Sequence, residues 1–85
     1  MARLLAVTEH RVEGAVRAEY LVAVGERQRA AETSGVHFWI FEHTDERGRF
    51  IEFVEGASES AVRSAAGSVH SSEPSLSLWR EVQGE

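Results

Sequence analysis

Three side chains of this chain are of types that move protons and fall where a fold could gather them: Tyr20, His43 and Glu52. A His–Glu contact can poise an imidazole near neutrality, which proton transfer requires, and a tyrosine offers an apolar body with one polar tip. Three further residues are, with the Tyr20 hydroxyl, candidates for holding a ligand. His10 sits at the polar end of an apolar run, in Glu9-His10-Arg11. His37 and Trp39 lie two apart in Val36-His37-Phe38-Trp39. Each also has a plainer reading. His43 can be a half-exposed strand residue, Glu52 a solvent or interface carboxylate, His37 a structural histidine, and Trp39 and Trp79 packing residues. Tyr20 can pack in the core with its hydroxyl reaching water.

Other chemistries lack their residues. There is no cysteine, so disulfides, thiolate zinc sites and redox thiols are excluded. The four histidines, at 10, 37, 43 and 70, form no HExxH spacing. On one strand, His37 and His43 would stand roughly 20 Å apart, too far to share a metal. No glycine-rich phosphate loop occurs. Ser68, His70 and Glu73 lie close in a serine-rich loop, which does not orient a nucleophile. No metal and no cofactor is expected.

The elements that must position these residues follow from pattern. Leu4–Arg11 reads as a strand, apolar on both sides at its start and polar at its end. Glu13 to about Thr33 reads as the long helix. Val16, Tyr20 and Val24 recur four apart on its buried side, while Glu13, Arg17, Glu26, Arg27, Arg29 and Glu32 supply a wet face. Glu13 and Arg17 are spaced for an i,i+4 ion pair. Ser34-Gly35 supplies the stop.

Val36–His43 and Phe50–Glu55 read as a hairpin around Asp45-Glu46-Arg47-Gly48, with Gly48 in the left-handed position. A four-residue turn pairs Thr44 with Arg49, and hence Phe41 with Glu52 and Ile40 with Phe53. One face then carries Val36, Phe38, Ile40, Ile51 and Phe53. The other carries His37, Trp39, Phe41, His43, Phe50, Glu52 and Val54. Ser58 to about Gly67 reads as a short helix capped by Ser58, and Leu76 to about Val82 as a last strand. Strand, helix, hairpin, helix, strand is a ferredoxin-like β-α-β-β-α-β order: an α+β domain with a four-stranded antiparallel sheet and two helices on one face.

With 85 residues there is room for one domain, 1–85, and only a thin core. The net charge of −5 is uneven: residues 1–35 carry five Arg and five Glu, residues 36–85 four Arg against nine acids. Lys is absent and no basic cluster occurs, which argues against nucleic acid and against anionic membranes. No apolar run approaches the roughly 20 residues of a membrane span, and the N-terminal run is too short for a signal peptide. A cytoplasmic setting is expected. The aromatic sheet face, open on a monomer, predicts a homodimer paired sheet to sheet.

The element order, the strand-opening Leu4-Leu5-Ala6-Val7-Thr8, the Trp39-bearing strand and the hairpin from Phe41 to Phe53 resemble the dimeric α/β-barrel superfamily. Within it the chain is similar to the antibiotic-biosynthesis-monooxygenase-like group. The resemblance implies a barrel-like dimer and, in many members, a small hydrophobic or aromatic ligand between sheet and helices. Members include cofactor-free monooxygenases, haem-degrading enzymes and isomerases. Two readings therefore stand together: a dimeric ligand-binding or interaction domain, and a cofactor-independent monooxygenase-like or isomerase-like enzyme acting on a small aromatic or polyketide-like substrate.

Overall fold

The computed structural model describes residues 3–66 and 75–84. Strand β1 (Leu4–Arg11) leads through a 3-10 turn (Gly14–Val16) into helix α1 (Arg17–Thr33). Strands β2 (His37–Glu42) and β3 (Arg49–Gly56) form the hairpin; helix α2 (Glu59–Ala65) and strand β4 (Ser75–Arg80) complete the chain. The sheet order is β2-β3-β1-β4 and every pairing is antiparallel. Both helices pack on one face, so the α+β ferredoxin-like arrangement expected from the sequence is the one formed. No helix among the described residues is long and apolar enough to cross a membrane. The serine-rich loop, with His70, lies outside the described residues.

Local chemistry sets the element ends. The long helix begins later than its alanine content suggests. Glu13 is extended, Val16 at the N-cap position supplies no side-chain cap, and the first turn is 3-10. Its end is a Schellman closure: Val36 N–H donates to the Ala31 carbonyl and Gly35 N–H to that of Glu32, with Gly35 at φ +78°. Ser58 caps α2 by accepting the Ala61 N–H at 3.2 Å.

The hairpin register differs from the expected one by a residue. Phe41 pairs with Ile51 and Ile40 with Glu52. The loop runs from Thr44 to Gly48, because His43 N–H donates to the Arg49 carbonyl and closes the ladder one residue earlier. Within the loop, the His43 ring accepts N–H groups from Asp45 and Glu46, and the Glu42 carboxylate accepts that of Gly48. One extra loop residue turns β3 over relative to β2. Phe50, Glu52 and Val54, expected on the open face, are buried beneath the helices; Ile51 and Phe53, expected in the core, lie on the open side.

The helix-facing side is built in cross-strand rows. Ala6, Val54 and Phe38 form one, Thr8, Glu52 and Ile40 the next, and His10, Phe50 and Glu42 the third. The first row belongs to an apolar core with Ala31, Val36, Val62 and Ala66. Tyr20, Val24 and Phe50 form a second apolar cluster. A carboxylate therefore occupies the middle of the buried side.

Candidate active site: a buried carboxylate beneath the long helix

Glu52 is fully buried, which an ionised carboxylate tolerates only when its oxygens are matched by donors and opposite charge. Four residues provide this. From α1, the Tyr20 hydroxyl donates to Glu52 Oε2 at 2.5 Å, and Arg27 reaches Oε1 at 2.9 Å and Oε2 at 3.4 Å. From β1, the Thr8 hydroxyl lies 3.5 Å from Oε1 and His10 Nε2 3.3 Å from Oε2. Arg27 also donates to the Ala65 carbonyl of α2 and lies over the Phe38 ring, 4.9 Å from its centroid. One guanidinium thus ties α1, β3 and α2 together.

The electrostatics follow. Burial pushes the Glu52 carboxyl up, but hydrogen bonds from His10 and Tyr20, with the charge and hydrogen bonds of Arg27, outweigh it and hold the pKa at about 2. The Tyr20 phenol is pushed up, by burial first and then by its bond to the carboxylate, against an opposing effect of Arg27. Glu52 is therefore an anion and Tyr20 a protonated donor across the ordinary pH range. The His10 ring is nearly enclosed, with Nε2 near Thr8 Oγ1 and Glu52 Oε2, and its Nδ1 has no hydrogen-bond partner among the described residues.

The structure thus brings Tyr20, Glu52 and His10 together. It does not bring His43 to them. The shared face drawn for His43 and Glu52 relied on a four-residue turn; with the five-residue loop His43 is exposed at the hairpin tip and Glu52 is on the opposite side of the sheet. His37 and Trp39 are on the open side, their rings stacked with centroids 5.8 Å apart. A cavity of about 300 Å³ opens beside Tyr20 between Arg11, Val12, Glu13, Val16 and Glu19. Among the described residues, no group of three metal-ligating side chains converges.

Arg27 was placed on the wet face, yet its side chain is only 16% exposed. The sequence held the signal: Tyr20, Val24, Arg27 and Ala31 recur at i, i+4, i+7 and i+11, a single helical stripe with a charge in it. Arg17 likewise pairs with Glu42 across to β2, at 2.6 Å, in place of the expected Glu13.

Comparison with known proteins agrees on the fold. The chain matches no protein-family model, and no curated protein sequence is similar to it. Solved structures do match. A Nitrosomonas europaea protein, named provisionally as an antibiotic biosynthesis monooxygenase, superposes with a TM-score of 0.78 at 8% identity, covering 94% of this chain and 90% of its own. Rv0793 of Mycobacterium tuberculosis gives 0.75 at 11% identity, over 96% and 97%. The haem-degrading protein Rv3592 of the same organism gives 0.68 at 17% identity, over 98% of each chain. The chain thus has the ferredoxin-like fold of antibiotic-biosynthesis-monooxygenase-like proteins. Likeness at such identities concerns the fold, and a fold hosts many functions.

Proposed function

We propose that the chain works as a homodimeric domain for a small apolar or aromatic ligand, two copies meeting through their open sheet faces. The observation that carries this is the side of the sheet without helices. Val7, Phe53 and Trp39 lie in one cross-strand row, with Leu5 and Trp79 on one flank and Ile51 and Phe41 on the other. Trp39, Phe41 and Trp79 are 44%, 55% and 60% exposed. Ion pairs rim the patch: Arg3 with Glu55 at 2.7 Å, and Arg49 with Glu9 at 2.6 Å. An apolar centre with a polar rim is the anatomy of a protein interface. A twofold pairing lets one patch cover its own copy. Sedimentation of the wild-type chain and of a Phe53→Lys variant tests it: a dimer that the substitution converts to a folded monomer is expected.

The Nδ1 of buried His10, without a partner among the described residues, favours a second reading, an acid–base centre of the cofactor-independent oxygenase or isomerase kind. Here Glu52 orients His10 and Tyr20, and His10, once its enclosed ring is opened to the cavity beside Tyr20, takes the proton of a small phenolic substrate. Oxygen uptake with 1-naphthol or 1,8-dihydroxynaphthalene, lost in His10→Ala and Tyr20→Phe, would support it. Loss in His43→Ala with His10→Ala active would move the base to the hairpin tip, and no uptake with either compound would count against the oxygenase form of this reading.

A further inference from the structure

Strand β2 stands at one edge of the sheet, and β3 pairs only its inner side. In an antiparallel pair, alternate residues bond to the neighbouring strand, and those between them turn their N–H and C=O groups outward. The bond from His43 N–H to the Arg49 carbonyl fixes the phase: His37, Trp39 and Phe41 bond to β3, while Phe38, Ile40 and Glu42 turn outward. Two contacts with α1 agree. Val36 N–H donates to the Ala31 carbonyl, and the Phe38 carbonyl accepts from Gln28 Nε2 at 3.4 Å. Among the described residues, no group bonds the N–H of Phe38 or either backbone group of Ile40.

Edge strands are ordinarily kept from pairing by lysine, proline, bulges or inward charges. From Val36 to Phe41 this edge has no charged residue, proline or glycine. Its guard is on α1. Gln28 stands at Phe38, and Arg17, roughly three helical turns away, holds the Glu42 carboxylate at 2.6 Å. Leu21, Gly25, Gln28 and Glu32, spaced i, i+4, i+7 and i+11, make up the flank of the helix on this side. That flank and residues 36–39 border a groove of about 390 Å³ along the edge.

We propose that the outer edge of β2 is a second self-association surface, complementary to the β2 edge of another copy and held closed by Gln28. Antiparallel twofold pairing centred on Ile40 sets Phe38 of each copy opposite Glu42 of the other. The Phe38 carbonyl taken by Gln28 is then the acceptor that the incoming Glu42 N–H requires. The run that meets carries no charge to repel its copy. Because α1 runs antiparallel to β2, the same axis brings the two helix flanks together. Leu21, 37% exposed, then faces Gly25 of the other copy, where a Cβ would meet only the Arg29 side chain. The pairing lies in the plane of the sheet, so it leaves the open face free and does not rest on the face-to-face dimer.

The test is sedimentation of Gln28→Ala, and of Gln28→Met, which keeps the length without the donor, from 10 µM to 1 mM. Each is read against the wild type at the same concentration, so the result does not depend on whether the open faces pair. Amide exchange of residues 37–42 is followed alongside by NMR. Expected is a species of twice the wild-type mass, with self-association roughly ten-fold tighter, as removal of one competing hydrogen bond implies. The amides of Phe38 and Ile40 slow as that species forms, while those of Trp39 and Phe41, already bonded to β3, do not change. Variants that keep the wild-type mass at 1 mM, or a larger species in which Phe38 and Ile40 exchange as before, overturn the inference. So does a wild type at 10 µM whose Phe38 and Ile40 amides are as protected as those of Trp39 and Phe41, a result that decides the matter even if the variants fail to fold.

Discussion

The Tyr20 hydroxyl donates to Glu52 Oε2 at 2.5 Å, joining the long helix to a central strand through the middle of the protein's interior. Because both groups are buried, the bond is exchanged for no water contact when the protein is folded. Its loss leaves a carboxylate oxygen one donor short. Tyr20→Phe is expected to lower stability by about 2 kcal/mol, in the range for hydrogen bonds to charged groups, measured by urea unfolding.

The ion pair of Arg27 and Glu52 is expected to be strongly non-additive. Removing one partner leaves the other charge buried without its match, a cost of roughly 3 kcal/mol. Glu52→Gln alone should therefore destabilise sharply, and Arg27→Met added to it should cost much less than Arg27→Met in the wild type. A double-mutant cycle by chemical denaturation reads the coupling; additive effects would mean that the two groups do not depend on each other.

Acid should unfold the protein through the same carboxylate. The Glu52 pKa is about 2 when folded against an ordinary 4.5, so the folded state binds this proton less readily than the unfolded one. The stability it contributes, on the order of 3 kcal/mol, is complete above pH 4.5 and is lost as pH falls from there toward 2. Thermal unfolding across that range should show a steep loss in the wild type and a shallower one in Glu52→Gln.

Gly48 stands at φ +89°, and a Cβ there would meet the Val12 carbonyl oxygen at 2.5 Å. The Gly48 carbonyl in turn accepts the Val12 N–H at 2.8 Å, so the backbone cannot simply move off. Gly48→Ala is expected to cost more than 1 kcal/mol, from both the left-handed conformation and the contact. Gly14→Ala, where a Cβ meets nothing within 4 Å, is the matched control and should be close to neutral. Urea midpoints of the two variants compare them.

The order of elements was legible because each carries its own punctuation: the apolar run of β1, the Ser34-Gly35 stop, Gly48 in the hairpin and the Ser58 cap. The register of the hairpin was not. Phe50 and Val54 on one side of β3 are as apolar as Ile51 and Phe53 on the other, so hydrophobicity could not choose the buried side. The choice falls to the loop, where His43 and Glu42 fasten N–H groups that a count of turn residues does not reveal. Tyr20 and Glu52 were legible as proton-handling types and His10 as a ligand-holding candidate, but their meeting depends on that register. Arg27 was missed because a charge within a helical stripe reads as solvent-facing until a buried carboxylate opposite it is known.

Sedimentation equilibrium of the untagged chain from 1 to 100 µM, on the wild type and on Phe53→Lys, tests the proposed assembly most directly. The account predicts a wild-type mass twice that of the 9.4 kDa chain, and a variant that sediments as a monomer while keeping its far-UV circular dichroism. A wild-type protein that remains monomeric at 100 µM would contradict it.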